Sequence, residues 1–311
     1  GKAQMMLGRF YSKKKQNDKA IKHYLKARRA IQKLNNEKLK FLCDSEIGGV
    51  YFSKGYLNKE LDSALYFFEK AVKLSKNIEE IYQMKSLHQL SLAYLVSGDI
   101  ETSQKYLNKL SKVSHESQKR FYYSVSLMNF YEFKNNKDSA LYYGRKSYEE
   151  YLRNEEIPYD VAVWGVIKYA NCFYTFYEDD SAEVYFEKAI SMALDKDDIV
   201  SYSKAFSPLN FLYSIEGESD KSMAICQQAI DWGHKVGDSA LIAQAMYNST
   251  FVYGKLKNYQ EAIKIYTELL KSYDKFLPIP EEVAYTNLSY NFYCNSIIVH
   301  LYWLELSPYG S

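Results

Sequence analysis

Turn-forming residues are scarce in this chain of 311 residues, which has only 13 Gly and 5 Pro. A sheet of many short strands needs frequent turns, and Gly and Pro are the residues that most often mark them. The sequence therefore favours long helices over a β-sheet fold. The formal net charge is only +2, so the chain as a whole shows no preference for nucleic acid.

Signatures of catalysis and metal binding are missing from the sequence. The four cysteines, Cys43, Cys172, Cys226 and Cys294, lie far apart and form no CxxC pair. The five histidines are also scattered, and no phosphate-binding loop, HExxH or GxSxG sequence occurs. We therefore predict a protein that is not an enzyme and binds no cofactor or metal. Its cysteines are expected to be small buried residues.

Aromatic residues, by contrast, recur at a regular spacing. Seven of them hold the same place in successive segments: Tyr11, Tyr51, Tyr94, Tyr131, Phe173, Tyr213 and Tyr253. A small residue follows nine positions later in six segments and 13 positions later in the second segment. These small residues are Ala20, Ala64, Ser103, Ala140, Ala182, Ser222 and Ala262. A unit that recurs every 37–44 residues predicts one pair of helices per segment.

Small residues also precede the aromatic residues by about one helical turn. Gly8 lies three positions before Tyr11, and Gly48 lies three positions before Tyr51. In the second helix, Ala20 and Tyr24 fall on one face. Where two helices cross closely, a small side chain on one helix accommodates a large aromatic side chain from the other. The pattern thus predicts close packing within each helix pair.

This arrangement resembles the tetratricopeptide repeat family over about residues 1–275. Residues 62–71 and 180–189 are similar to the second helix of that family. The resemblance implies an all-α fold, a right-handed superhelical solenoid of stacked antiparallel helix pairs with about seven repeats and a long C-terminal helix. The predicted units lie near residues 1–40, 41–80, 81–117, 118–158, 159–199, 200–239 and 240–275, followed by 276–311.

Residues 276–311 begin with a Pro-containing break and continue as a segment rich in apolar residues. One interpretation is a helix that caps the last repeat. The other is an interface, either with a second copy or with a neighbouring module, because the segment is apolar on several sides. The candidate interface residues are Ile298, Leu301 and Tyr302.

The first helices of such a solenoid line its concave face, which the resemblance implies as the binding surface. Aromatic side chains offer a large contact area, and Asn amides match the peptide bond. The candidate peptide-binding residues are Tyr122, Asn129, Phe133, Trp164, Asn171, Tyr174, Phe211, Tyr247 and Phe251. The alternative is that these aromatic residues only contact neighbouring helices.

The resemblance implies a non-catalytic domain that binds a protein or peptide. The sequence Asp-Ser-Ala-Leu-Tyr at 62–66 and 138–142 is similar to repeat regions of bacterial envelope sensor and regulator proteins. We therefore expect the sensor or adaptor part of a larger regulator, in the periplasm rather than the cytoplasm, with a membrane segment beyond Ser311. No run of about 18 apolar residues occurs within the chain itself.

Two other functions remain open at this stage. One is a structural scaffold that oligomerises through residues 276–311, for example as a homodimer. The other is a binder of small molecules or nucleic acid that uses the basic residues 1–40, which contain 13 Lys and Arg against two Asp and Glu. A nucleic-acid partner is not expected, because these basic residues are also compatible with a solvated surface.

Overall fold

The computed structural model describes residues 1–13, 16–54, 58–113, 117–154 and 157–272, and every regular element in these ranges is an α-helix. In chain order they are α1 (Lys2–Lys13), α2 (Asn17–Gln32), α3 (Glu37–Lys54), α4 (Asn58–Ser75), α5 (Glu80–Val96), α6 (Ile100–Lys112), α7 (Ser117–Phe133), α8 (Lys137–Arg153), α9 (Tyr159–Thr175), α10 (Asp179–Leu194), α11 (Ile199–Glu216), α12 (Ser219–Val236), α13 (Ser239–Lys255) and α14 (Tyr259–Ser272). The predicted C-terminal helix, with Ile298, Leu301 and Tyr302, lies outside the described residues.

The chain divides into two compact units, Gly1–Tyr185 and Phe186–Ser311, with the boundary inside α10. Consecutive helices pack as pairs in each unit: α1 with α2, α3 with α4, α5 with α6 and α7 with α8 in the first, and α11 with α12 and α13 with α14 in the second. The prediction of an all-α fold built from adjacent helix pairs is confirmed.

Short polar side chains start several helices. Asp99, Asn136, Asp198 and Asp238 each accept a hydrogen bond from a backbone N–H in the first turn of α6, α8, α11 and α13 respectively. Such caps satisfy donors that have no partner inside the helix. Polar residues between the apolar stretches therefore set where these helices begin.

The expected contact between small and aromatic residues is present inside the helix pairs. A Cβ atom added to Gly8 would lie 2.6 Å from Tyr24 Cδ1, and one added to Gly48 would lie 2.6 Å from Phe68 Cδ1. In the α7–α8 pair the sizes are exchanged, because Met128 stands opposite Gly144. In each of these pairs a large side chain on one helix fills the space left by a glycine on the other, so the two helices pack closely.

Stacked aromatic pairs form a second recurring contact, which accounts for part of the high Tyr content. Each pair joins the aromatic residue of a first helix to a ring twelve positions later in the second helix. The pairs Tyr11–His23, Tyr94–Tyr106, Tyr131–Tyr143 and Phe173–Tyr185 have ring centroids 5.1–5.6 Å apart and interplanar angles of 4–14°. In the α3–α4 pair the stacked residues are Tyr51 and Phe67, which are 16 positions apart, in keeping with the four additional positions between Tyr51 and Ala64.

Candidate functional site

First helices of neighbouring pairs contact each other directly. In the first unit α7 packs against both α5 and α9, and in the second unit α11 packs against α13. We call the surface formed by α5, α7 and α9, and separately by α11 and α13, the first-helix face. All of the predicted peptide-binding residues lie on α7, α9, α11 or α13. The face is described for each unit separately.

An aromatic cluster occupies the first unit's part of this face. Trp164 of α9 lies edge-on to His88 of α5, with ring centroids 5.1 Å apart, and 6.4 Å from the ring of Tyr122. His88 Nδ1 lies 2.6 Å from Ser126 Oγ, which also lies 2.7 Å from the carbonyl oxygen of Tyr122. The predicted residues Tyr122 and Trp164 are thus brought together around His88.

Burial dominates the electrostatics of this cluster. Together with the smaller effect of the positive charges of Lys168 and Lys85, burial lowers the pKa of His88 to about 3. Burial also raises the pKa of Tyr122, with a smaller contribution from Asp160. Both side chains are therefore uncharged at neutral pH, and the cluster combines aromatic rings with two buried hydrogen bonds.

Asn129 and Asn171 occupy equivalent places in α7 and α9 but have different surroundings. Asn129 is only 7% exposed, and within the described residues its Nδ2 atom has no hydrogen-bond partner. It lines the same small internal space as His88 and Ser126. Asn171 is half-buried, and its Nδ2 atom donates a 2.7 Å hydrogen bond to the carbonyl oxygen of Ile167 in its own helix.

Two of the candidate aromatic residues in the first unit lie toward the C-terminal ends of first helices. Phe133 is 49% exposed at the end of α7, and Tyr174 is half-buried near the end of α9. Between these helices, Thr175 Oγ1 lies 2.8 Å from Glu132 Oε1. This polar contact holds the two helix ends together beside Phe133.

The second unit presents a more open aromatic surface. Phe211 on α11 and Phe251 on α13 are 54% and 50% exposed, and Tyr247 packs edge-on against Phe251 with centroids 5.0 Å apart. Ile215, one turn after Phe211, is also exposed. Side-chain hydrogen bonds join the two helices on this face, from Gln244 to Ser207 and from the Lys255 amine to the Ser214 carbonyl.

The exposure predicted for Tyr122 and Asn129 is wrong. Both side chains are 7% exposed, because residues of the neighbouring helices cover them. Trp164 covers Tyr122, and the α5 residue His88 lies against both. The part that these two residues play in binding stays a prediction, as it does for the other candidates.

Sequence reasoning missed His88 and Ser126, which organise the first-unit cluster, and it treated His88 only as one of several scattered histidines. The sequence does contain an indication that His88 is buried. His88 lies three positions before the small residue Ser91, and therefore on the side of α5 that packs against other helices. Ile215 is not among the candidate residues of the sequence analysis. Its exposure places it beside Phe211 on the open surface.

Other chemistry is not indicated among the described residues. No group of three or more His, Cys, Asp or Glu side chains there is arranged to hold a metal ion. Cys43, Cys172 and Cys226 are buried as expected, and burial raises the pKa of each thiol to about 12. Within the same ranges, none of the helices combines the length and the apolar character needed to cross a lipid bilayer.

Comparison with known proteins adds to this description. A family model of the tetratricopeptide repeat matches residues 1–29 and 243–276. A sequence search among curated proteins found no match. Among solved structures, the chain is similar to a Signal Transduction ATPase with Numerous Domains (STAND) protein with a tetratricopeptide repeat sensor from Pyrococcus horikoshii. The TM-score is 0.63 at 15% identity, and the alignment covers 89% of this chain but only 41% of that protein.

Two further structures are similar over most of their length. The apo form of RapI has a TM-score of 0.64 at 13% identity, with 85% of this chain and 77% of RapI covered. A Rap protein complexed with Competence and Sporulation Factor has a TM-score of 0.54 at 14% identity, with 88% and 80% covered. At these identities the similarity concerns the fold. Two segments of the chain, residues 1–29 and 243–276, match the tetratricopeptide repeat, and its adjacent helix pairs give it the fold of these solved structures.

Proposed function

We propose that this chain is a non-catalytic domain that binds a protein or peptide on its first-helix face and serves as the sensor or adaptor part of a larger bacterial regulator. The observation that carries the proposal is the pair of half-exposed phenylalanines, Phe211 and Phe251, on two helices that contact each other. Exposed aromatic side chains on adjacent helices supply a large apolar contact area at low entropic cost.

The solved relatives support a role in sensing. One of them carries a tetratricopeptide repeat sensor, and another was solved in complex with Competence and Sporulation Factor. Solenoid repeat proteins commonly use an extended surface to bind partners. By this analogy the present chain presents its first helices to a partner. The proposed periplasmic location rests instead on the Asp-Ser-Ala-Leu-Tyr sequences at 62–66 and 138–142.

The structure changes which candidates we expect to touch the partner. Phe211, Phe251 and Phe133 are half exposed and are proposed as direct contacts. Tyr247 supports Phe251 from the side. The buried Asn129 is proposed to act from beneath the surface, where it shapes the packing of α7 against α5.

A second group of candidates lies in the first unit. Trp164, Asn171 and Tyr174 are half-buried on α9. They are proposed to contact the partner along one edge, and Tyr122 is proposed to hold Trp164 in place from below.

Selection from a phage-displayed library of random peptides tests this proposal. Peptides selected on the wild-type protein would be measured against the variant Phe211→Ala, Phe251→Ala and against the control Tyr142→Ala, Leu152→Ala. The control residues are 54% and 62% exposed on α8, away from the first-helix face. We expect the first variant to weaken binding by at least about tenfold and the control to leave it unchanged.

Equal affinity for both variants would contradict a peptide site at Phe211 and Phe251. Circular dichroism and thermal unfolding of each variant show whether it remains folded. Because all four residues are at least half exposed, truncating them is expected to change stability by only about 0.5 kcal/mol.

A further inference from the structure

A cleft separate from the first-helix face opens between α4, α5 and α6 in the first unit. Its volume is about 580 Å³, which is within the usual range for binding sites. Four exposed lysines line it: Lys73 from α4, Lys76 from the turn that follows α4, and Lys109 and Lys112 from α6. Glu69 is the one acidic side chain among the described residues of the lining. Four positive charges and one negative charge give +3, more than the +2 of the entire chain.

Carboxylates of the described residues leave these lysines unpaired. Within the described part of the chain none of the four contacts a carboxylate, whereas Lys38 on α3 pairs with Glu79 at 2.6 Å. Glu69 already accepts a 2.5 Å hydrogen bond from the phenol of Tyr94. The positive charge of the cleft is therefore directed to solvent rather than neutralised by the protein.

The floor of the cleft is apolar. Val72, Leu87 and Val113 line it, and Leu87 is buried. An apolar floor inside a basic rim favours an amphipathic ligand, which places an apolar side chain in the cleft and negative charges at its edge.

The surroundings of Tyr106, the aromatic residue of the lining, favour one kind of negatively charged partner over another. Tyr106 stacks on Tyr94 with centroids 5.6 Å apart, and the Lys109 amine lies 4.5 Å from the centre of the Tyr106 ring. These contacts occupy the ring surface on which a nucleic-acid base would stack. The cleft thus provides charge and an apolar floor but no stacking platform, which favours a peptide over a single-stranded nucleic acid.

We propose that this cleft docks an acidic, amphipathic segment of a partner protein, whose carboxylates contact Lys73, Lys76, Lys109 and Lys112 while an apolar side chain rests on Val72, Leu87 and Val113. The surface belongs mainly to second helices. It is separate from the binding proposed for the first-helix face and does not depend on it.

A labelled synthetic peptide tests the proposal by fluorescence anisotropy. The probe is a short helical peptide with Leu along one side and Glu on either flank. A second probe replaces each Leu by Ser, and a third is a single-stranded DNA oligonucleotide. We expect the Leu and Glu peptide to bind the wild-type protein, more weakly as salt is added, and at least about tenfold more tightly than either other probe.

Two double variants, each replacing two lysines by glutamate, test whether the peptide binds in the cleft. Lys109→Glu, Lys112→Glu changes the cleft, and Lys22→Glu, Lys26→Glu makes the same change on the exposed surface of α2 in the same unit. We expect the cleft variant to lose at least about tenfold in affinity and the α2 variant to retain wild-type affinity. The milder variant Lys73→Gln, Lys76→Gln provides a second measurement if the first variant is poorly folded.

Three results would overturn the proposal: no binding of the Leu and Glu peptide to the wild-type protein, equal losses in the cleft and α2 variants, or tighter binding of the oligonucleotide. The Phe211→Ala, Phe251→Ala variant should bind this probe normally, so failure at one surface can be told apart from failure at the other.

Discussion

The phenol of Tyr94 in α5 donates a 2.5 Å hydrogen bond to Glu69 in α4, the second helix of the preceding pair. Tyr213 in α11 makes the equivalent 2.9 Å hydrogen bond to Glu187 in α10. Both glutamates stand in the same sequence, Phe-Glu-Lys-Ala. In these two places the aromatic residue that marks a repeat thus also joins that repeat to the one before it.

We expect Tyr94→Phe to lower the free energy of unfolding by about 1 to 2 kcal/mol, because the variant leaves the Glu69 carboxylate without this donor. Urea denaturation measures the change. Tyr142→Phe, at a tyrosine that is 54% exposed, serves as the control and should have almost no effect. A double-mutant cycle with Glu69→Gln should show coupling, and strict additivity of the two changes would argue against the hydrogen bond.

Two neighbouring glycines on α3 provide a matched pair for testing close packing. An added Cβ would lie 2.6 Å from Phe68 Cδ1 at Gly48 but would meet nothing within 4 Å at Gly49. We expect Gly48→Ala to destabilise the protein by about 1 to 3 kcal/mol through overpacking. Gly49→Ala should stabilise it by up to about 1 kcal/mol, because Ala favours the helix over Gly. Thermal and urea unfolding distinguish the two, and equal shifts would contradict the close contact.

Two buried asparagines should respond oppositely to replacement by Leu, which has a similar size. Asn210 Nδ2 donates to the carbonyl oxygen and hydroxyl of Ser222 and to Cys226 Sγ, at 3.0, 2.8 and 3.1 Å. Asn210→Leu should therefore destabilise the protein by about 1 to 3 kcal/mol.

Asn129→Leu should be neutral or stabilising, because among the described residues nothing accepts a hydrogen bond from Asn129 Nδ2. Calorimetry of both variants gives the comparison. A large loss of stability in Asn129→Leu would show that this amide has a partner.

His88 should make the protein sensitive to mild acid. Burial lowers its folded-state pKa from 6.5 to about 3, so the unfolded state binds the proton more tightly between these two values. Stability from this group is therefore present above the unfolded pKa and is lost as the pH falls toward 3. At about pH 5 the loss is on the order of 2 kcal/mol, from 1.36 kcal/mol per pKa unit.

Urea unfolding of the wild type and of His88→Asn, at about pH 7.5 and pH 5, checks this expectation. Asn retains a polar group near the position of Nδ1 but does not titrate in this range. The variant should lose less stability than the wild type between the two pH values. The same loss in both proteins would assign the acid sensitivity to other groups.

The contacts inside each helix pair were predictable because they are local in sequence. Gly8 and Tyr24 lie 16 positions apart, and their spacing relative to the repeat predicted the close approach that the structure shows. The stacking of Tyr94 on Tyr106 is also local, since the two residues lie 12 positions apart within one helix pair. The sequence analysis did not identify Tyr106.

Contacts between pairs were not predictable to the same degree. Helical periodicity placed Tyr122 and Asn129 on the outward side of α7, and the structure buries both. Periodicity describes only which way a side chain points from its own helix. How closely α5 and α9 approach α7 depends on the volumes of all side chains between these helices, and that sum is a property of the packed repeats.

The sequence by itself determined the helical fold and the place of the small and aromatic residues that close each pair, because both follow from spacing along one chain. Only the tertiary structure decided which aromatic residues remain exposed, such as Phe211 and Phe251, and which lysines gather around the cleft between α4 and α6. Exposure and charge clustering arise between residues that are distant in sequence. They are set by packing distances between helices, and those distances are not encoded in any single repeat.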